Sequence, residues 1–398
     1  MKNNIYNNKS NVKVILVILT IFFLRNIGLF FIFPIFNFCN INLYGSTKFL
    51  NSLCLSIYGI FQIIFQIPFG FLSNSFGKKN TIIISLFIFF IGNLICFFSN
   101  SVFGVLLGRS LQGIGSVSSI LIDVLIDHTS KKSYVFSIFL VGITFGITFF
   151  ISMSSSLFIF NKIGLKNIFL IILTLSLFLI FFSYFYIPKD KKQDLHKKKT
   201  FIKINLLLEY FKNKNYVCVL KYTFISNFIF SSNFYIFPKI FSSFFINYNT
   251  CFKIYFYTFF FSSLISLILA CFLRSNIENN RMYIFLFVFF LFSETIFLFN
   301  NKYEKLFFLG LQIFFLIFNL LSSFLPILFR KVFYNIYGCR DVPISIYTTM
   351  QLLGMSLGSV FSGILCTFLN FKILFFICII LIFFCINIYK QNFKEDSL

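Results

Sequence analysis

One stretch of this chain gathers side chains that do not belong in hydrocarbon. Within LGRSLQGIGSVSSILIDVLID, residues 107 to 127, the charged and polar positions include Arg109, Gln112, Ser116, Asp123 and Asp127, with a small Gly113 beside them. On a helix turning 100° per residue, these positions fall within about 60° of one line. A polar line on a membrane helix must face a cavity or another helix, because lipid offers it no partner. An arginine and a carboxylate on such a line could relay protons or hold a charged solute. Arg109 and Asp123 are therefore candidates for transport or coupling. They lie ~21 Å apart along a continuous helix, so they would not pair directly. The plainer alternative has Arg109 bracing a neighbouring helix and Asp127 ending the span at the surface.

Two more ionisable residues interrupt apolar runs. Arg25 lies beside Asn26 in the first run, before Pro34, and Glu294 lies in FLFSETIFLF. Each buried charge costs roughly 2.5–3.5 kcal/mol on insertion scales, so each needs a partner or a purpose. Glu294 is a partner for Arg25 in chemistry, although nothing in the sequence places them in contact. Lys221 stands near a span start, where it can snorkel to the headgroups.

Other chemistries find no support. The ten cysteines form no C-x-x-C pair, and as small buried hydrophobes they need no metal or disulfide role. His128 and His196 have no metal-ligand spacing. There is no phosphate-cradling loop in a strand-to-helix setting and no nucleophilic triad. An enzyme is not expected, and neither is a cofactor or a metal.

The surrounding elements explain the cost of those charges. The chain is 59% hydrophobic and only 11% charged, where globular proteins are nearer a quarter charged. Apolar runs near twenty residues recur, the length that crosses a ~30 Å hydrocarbon core. They fall at about 14–38, 49–72, 81–98, 102–126, 134–158, 166–187, 216–238, 252–273, 282–299, 304–329, 342–369 and 371–389. The connections at 98–102 and 369–371 are the least certain, since a tight hairpin and one long helix read alike. The first run exceeds a signal peptide's apolar region and reads as a retained span.

Seventy Phe and no Trp, with abundant Ile, Asn and Lys, point to codons rich in A and T. The Phe stripes are therefore expected to be mostly lipid-facing filler.

With the N-terminus inside, most of the 34 Lys and Arg fall on one side. That side holds Lys78, Lys79, Lys131, Lys132, Arg274, Arg281, Arg330, Lys331, Arg340 and a lysine-rich run from Lys189 to Lys214. The positive-inside rule then favours twelve spans with both termini cytoplasmic. A net charge of +23 spread over such loops attracts anionic lipid rather than nucleic acid. Residues 188–214 divide the chain into a first bundle, 1–187, and a second, 215–398. Ile204, Leu207, Leu208 and Phe211 give the basic linker a short interfacial helix. GFLSNSFGKKN after span two is faintly echoed by ACFLRSNIENNR after span eight, as a six-plus-six duplication requires.

The stretch GFLSNSFGKK, residues 70–79, resembles the loop between spans two and three of the major facilitator superfamily. Gly70, Leu72, Ser73, Gly77, Lys78 and Lys79 match the pattern, and Asn74 stands where the family carries Asp. Arg109 followed by Gln112-Gly113 and Gly115 resembles a second signature of that family. The resemblance covers essentially the whole chain, and a bacterial inner-membrane drug/proton-antiporter-like member is the nearest description.

It implies an all-α membrane fold of twelve helices in two six-helix bundles around a central cavity. It implies alternating access by a monomer, with membrane lipid, a small-molecule substrate and protons as partners. Proton-coupled efflux is the leading expectation; a metabolite uniporter or symporter, or a non-transporting sensor, is the alternative. Two departures weaken antiport. Asn74 carries no charge, and span five keeps Gly142 and Gly146 but lacks the antiporter Gly-Pro. In span eleven, Gly354 and Gly358 are four apart, the spacing of a close helix seam.

Overall fold

A computed structural model describes residues 12–38, 43–115, 117–129, 134–188, 211–244, 248–273, 280–299, 304–334, 341–368 and 371–392. Nearly all of them are helical, as lipid demands of a chain whose backbone polar groups must be paired internally. The first six elements are α1 (Val12–Phe38), α2 (Lys48–Phe76), α3 (Lys78–Phe98), α4 (Val102–Ile114), α5 (Ser118–Asp127) and α6 (Tyr134–Tyr186). The rest are α7 (Lys214–Phe244), α8 (Tyr248–Leu273), α9 (Asn280–Phe299), α10 (Glu304–Tyr334), α11 (Asp341–Phe368) and α12 (Phe371–Asn392). Among the described residues, 8 helices are long and apolar enough to cross a membrane, and further apolar helices are shorter.

Polar residues inside these helices mostly answer to their own backbone. Thr81, Thr148, Ser176, Thr223 and Ser266 each donate a hydroxyl proton to a carbonyl three or four residues earlier. Such a hydroxyl crosses the bilayer without needing another helix.

Two features depart from the expected spans, and one doubtful connection agrees with them. The run 102–126 is two helices, because the backbone leaves helical geometry at Gly115 (φ −66, ψ 41). Angles counted along one continuous helix therefore do not carry from Arg109 to Asp123. Spans five and six form a single long element, α6, with one break at Gly164 (φ 74, ψ 173). That conformation is open essentially to glycine alone, so one residue replaces the expected loop. The doubtful connection at 98–102 is a real turn. Ser99 is extended, and the Ser101 side chain accepts from Gly104 N–H to start α4. The turn is pinned by Tyr44, whose carbonyl accepts from Val102 N–H at 3.1 Å. The connection at 369–371 and the interfacial helix near 204–211 fall largely outside the described residues.

The chain forms two compact units: Met1–Lys203 with Cys339–Thr349, and Ile204–Gly338 with Met350–Leu398. In the first, α4 packs against α2 and α3, and α1 against α6. Its core includes Ile32, Phe89, Val105, Phe169 and Ile172. In the second, α9 packs against α10 and α12. Here the expectation for phenylalanine needs correcting. Phe237, Phe290, Phe314, Phe315 and Phe324 are fully buried. Phe230 stacks on Phe318 at 3.7 Å between centroids, and Phe237 meets Phe314 edge-on at 5.3 Å. Ring pairs fill this core well. Others, such as Phe272 and Phe299, do stand exposed.

Candidate functional site

The turn between α2 and α3 consists of Gly77 alone, at φ 86 and ψ 155. A side chain is strained there by about 1–3 kcal/mol, which accounts for the motif's glycine. The turn delivers Lys78 to two carboxylates of α5. Its ammonium forms an ion pair with Asp123, and Nζ lies 2.6 Å from Asp127 Oδ2. The Asp123 side chain is 2% exposed and that of Asp127 38%. Lys79 turns the other way: its Nζ donates to the Ile187 carbonyl at 2.7 Å and lies over the Tyr184 ring. Gly70 is buried, and its carbonyl accepts from Ser73 Oγ at 2.8 Å. Asn74 is buried with no hydrogen bond to its Oδ1.

A second network joins α1, α2, α3, α4 and the α4–α5 break. Arg109 Nη1 donates to Gln112 Oε1 at 2.7 Å, and its Nε to the Cys54 carbonyl at 3.2 Å. Gln112 Nε2 passes the chain on to Asn93 Oδ1 at 2.9 Å. Arg25 Nη1 donates to Ser118 Oγ, and Nη2 to Tyr58 Oη and the Gly115 carbonyl, each at 3.2 Å. That carbonyl is one the helix break leaves without its usual partner, so Arg25 caps the break. Tyr58 serves both arginines, since the Arg109 guanidinium lies 4.8 Å from its ring centroid. Among the described residues neither arginine has an ion pair; both donate to neutral acceptors, and Arg25 Nε is buried without a hydrogen bond.

In the second unit, Glu294 of α9 is fully buried, and its Oε1 accepts from Asn233 Nδ2 of α7 at 2.5 Å. Ser232 and Cys378 meet beside it at 3.8 Å.

The glycines mark where backbones touch. A Cβ on Gly92 would fall 2.6 Å from the Gly108 carbonyl oxygen, and one on Gly108 would meet Gly92 O at 2.6 Å. Gly113 abuts the Tyr58 carbonyl, and Gly354 and Gly358 abut the Phe224 and Phe228 carbonyls of α7. Gly142 faces open space, while Gly146 is buried.

The structure thus brings Lys78, Asp123 and Asp127 together, and places Arg25 and Arg109 on one tyrosine. Tyr58, Asn93 and Asn233 escaped sequence reasoning. Each is a polar residue in an apolar run, which is the signal that could have found them.

These features define a polytopic helical membrane protein with a charged turn between its second and third helices and two buried arginines in its first unit. Comparison with known proteins identifies the family. The Major Facilitator Superfamily model matches residues 18–333. An uncharacterized transporter of Buchnera aphidicola subsp. Baizongia pistaciae is 37% identical, over 92% of this chain and 93% of that protein. The inner membrane transport protein YajR of Escherichia coli is 28% identical, over 86% of this chain and 75% of its own. Among solved structures, the proton:xylose symporter XylE superposes with a TM-score of 0.75 at 12% identity, covering 98% of this chain and 96% of that one. This chain belongs to the major facilitator superfamily. It is a multi-pass membrane transporter, not an enzyme.

Proposed function

We propose that the protein is a secondary active transporter that exports a small solute in exchange for protons, by alternating access between two six-helix bundles. The observation that carries this is the burial of its ionisable groups. Arg25, Arg109, Asp123 and Glu294 are 3%, 2%, 1% and 0% exposed, and charges placed so expensively in a transporter mark ion or substrate pathways. The Lys78 pair with Asp123 would act as a latch at the end of α5, made and broken as the first bundle changes state. The lysine distribution supports twelve crossings with both termini cytoplasmic, and the likeness to the Escherichia coli protein supports the inner membrane. The working unit is a monomer, with Gly92, Gly108, Gly354 and Gly358 as its helix seams.

The test is purified protein in proteoliposomes with a pH-sensitive dye trapped inside, challenged with a panel of cationic, anionic and neutral compounds. At least one compound should move protons with the wild type and fail to do so with Arg109→Ala expressed to the same level. Compound uptake that is indifferent to the pH gradient would sink proton coupling. It would favour the second reading, a uniporter, which the uncharged Asn74 at the motif's acidic position also favours.

A further inference from the structure

The Glu294–Asn233 pair holds an imbalance that one proton resolves. Asn233 gives an N–H to Glu294 Oε1. The other oxygen of each group, Glu294 Oε2 and Asn233 Oδ1, is buried without a hydrogen-bond partner. Both are acceptors when the carboxyl is ionised, so neither can serve the other. A buried polar atom left without a hydrogen bond keeps its full desolvation penalty, which is larger when it is charged. A proton on a lone pair of Oε2 turns that atom into a donor and takes the carboxyl from −1 to neutral. The O–H can then give to Asn233 Oδ1, closing a two-bond ring between acid and amide.

Among the described residues, the groups placed beside Glu294 are neutral. From α7 the groups beside it are Asn233 and Ser232, and from α12 the Cys378 thiol; the α10 residues Phe307, Gly310 and Phe314 pack on its α9 neighbours Phe290, Ile296 and Phe297. Among the described residues no cation pairs with Glu294.

We infer that Glu294 and Asn233 form a proton-binding site within the second unit, with the proton held on Glu294 Oε2 and shared with Asn233 Oδ1. What that proton does in turnover rests on the proton-coupled reading above. That it is bound rests on the pair itself, so the two can fail separately.

Infrared spectroscopy of the full-length protein in lipid, with isotope-labelled glutamate, tests occupancy directly. At neutral pH the wild type should show a protonated-carboxyl carbonyl band that moves with the label and is lost in Glu294→Gln. Asn233→Leu should shift that band upward as the hydrogen bonds are removed. Absence of any label-sensitive band of this kind in the wild type overturns the proposal, whether or not the variants fold. Thermal unfolding supplies a second readout. Glu294→Gln keeps a donor where the acid O–H stands, so its midpoint should match the wild type while Glu294→Leu unfolds earlier. Equal losses in the two variants would overturn the ring.

Discussion

Lys78, the first residue of α3, reaches Asp123 of α5 and holds a carboxylate that is almost wholly out of water. Removing one member of such a buried pair strands the other, at about 3–5 kcal/mol, whereas neutralising the stranded charge is milder. Lys78→Met is therefore expected to lower the unfolding temperature more than Asp123→Asn does. Asp127→Asn, at the more exposed carboxylate, should cost no more than about 1 kcal/mol. Thermal scans of the three variants in one detergent decide the ranking; equally small effects would show that the Lys78–Asp123 contact is inconsequential.

The two arginines that share Tyr58 can be separated by substitution. Tyr58→Phe removes the hydroxyl that accepts from Arg25 but keeps the ring beneath Arg109. It should cost about 1–3 kcal/mol for the donor left unpaired. Tyr58→Leu should cost a further ~0.5–2 kcal/mol through the lost cation–π contact. Paired with Arg109→Lys, the leucine variant should show a coupling energy that the phenylalanine variant does not. A double-mutant cycle read by chemical denaturation measures it.

Alanine at the glycine seams gives a sharper contrast. Gly92→Ala and Gly108→Ala each drive a methyl into a facing backbone carbonyl and should destabilise by about 1–3 kcal/mol, because backbone cannot swing aside. Gly142→Ala meets open space and should be neutral or stabilising by up to about 1 kcal/mol from helix propensity. Melting curves that rank Gly142→Ala with the other two would contradict the close α3–α4 approach.

Burying Arg25 beneath the α4–α5 break predicts a local effect. Arg25→Leu leaves the Gly115 carbonyl and the Tyr58 hydroxyl without their donor. Faster hydrogen exchange at the start of α5 than in the wild type is the expected result. Unchanged exchange there would mean that the break supports itself.

How far the sequence spoke follows from the range of each force. Apolar runs and loop lysines are local quantities, so helices, the motif at 70–79 and the family were legible. The break at Gly115 was not, because Gln112, Gly113 and Gly115 satisfy a helical pattern on paper. The arginine that caps the opened carbonyl there comes from α1, far away in sequence. The burial of Phe237 and Phe314 was hidden for a similar reason: an apolar ring reads alike whether it faces lipid or another ring. Arg109, Gln112 and Asp123 were found, but Tyr58 and Lys78 are brought to them by tertiary approach. Helical arithmetic along a single span cannot supply that.

Gly77 leaves α2 and α3 no spare length between them. Any rotation of one rod is handed to the other without backlash, as through a crank with a single pin. Adding one residue at that joint, if α3 absorbed it, would turn the helix by about 100° and swing Lys78 away from both carboxylates. The spacing of the motif is thus an angular specification as much as a chemical one.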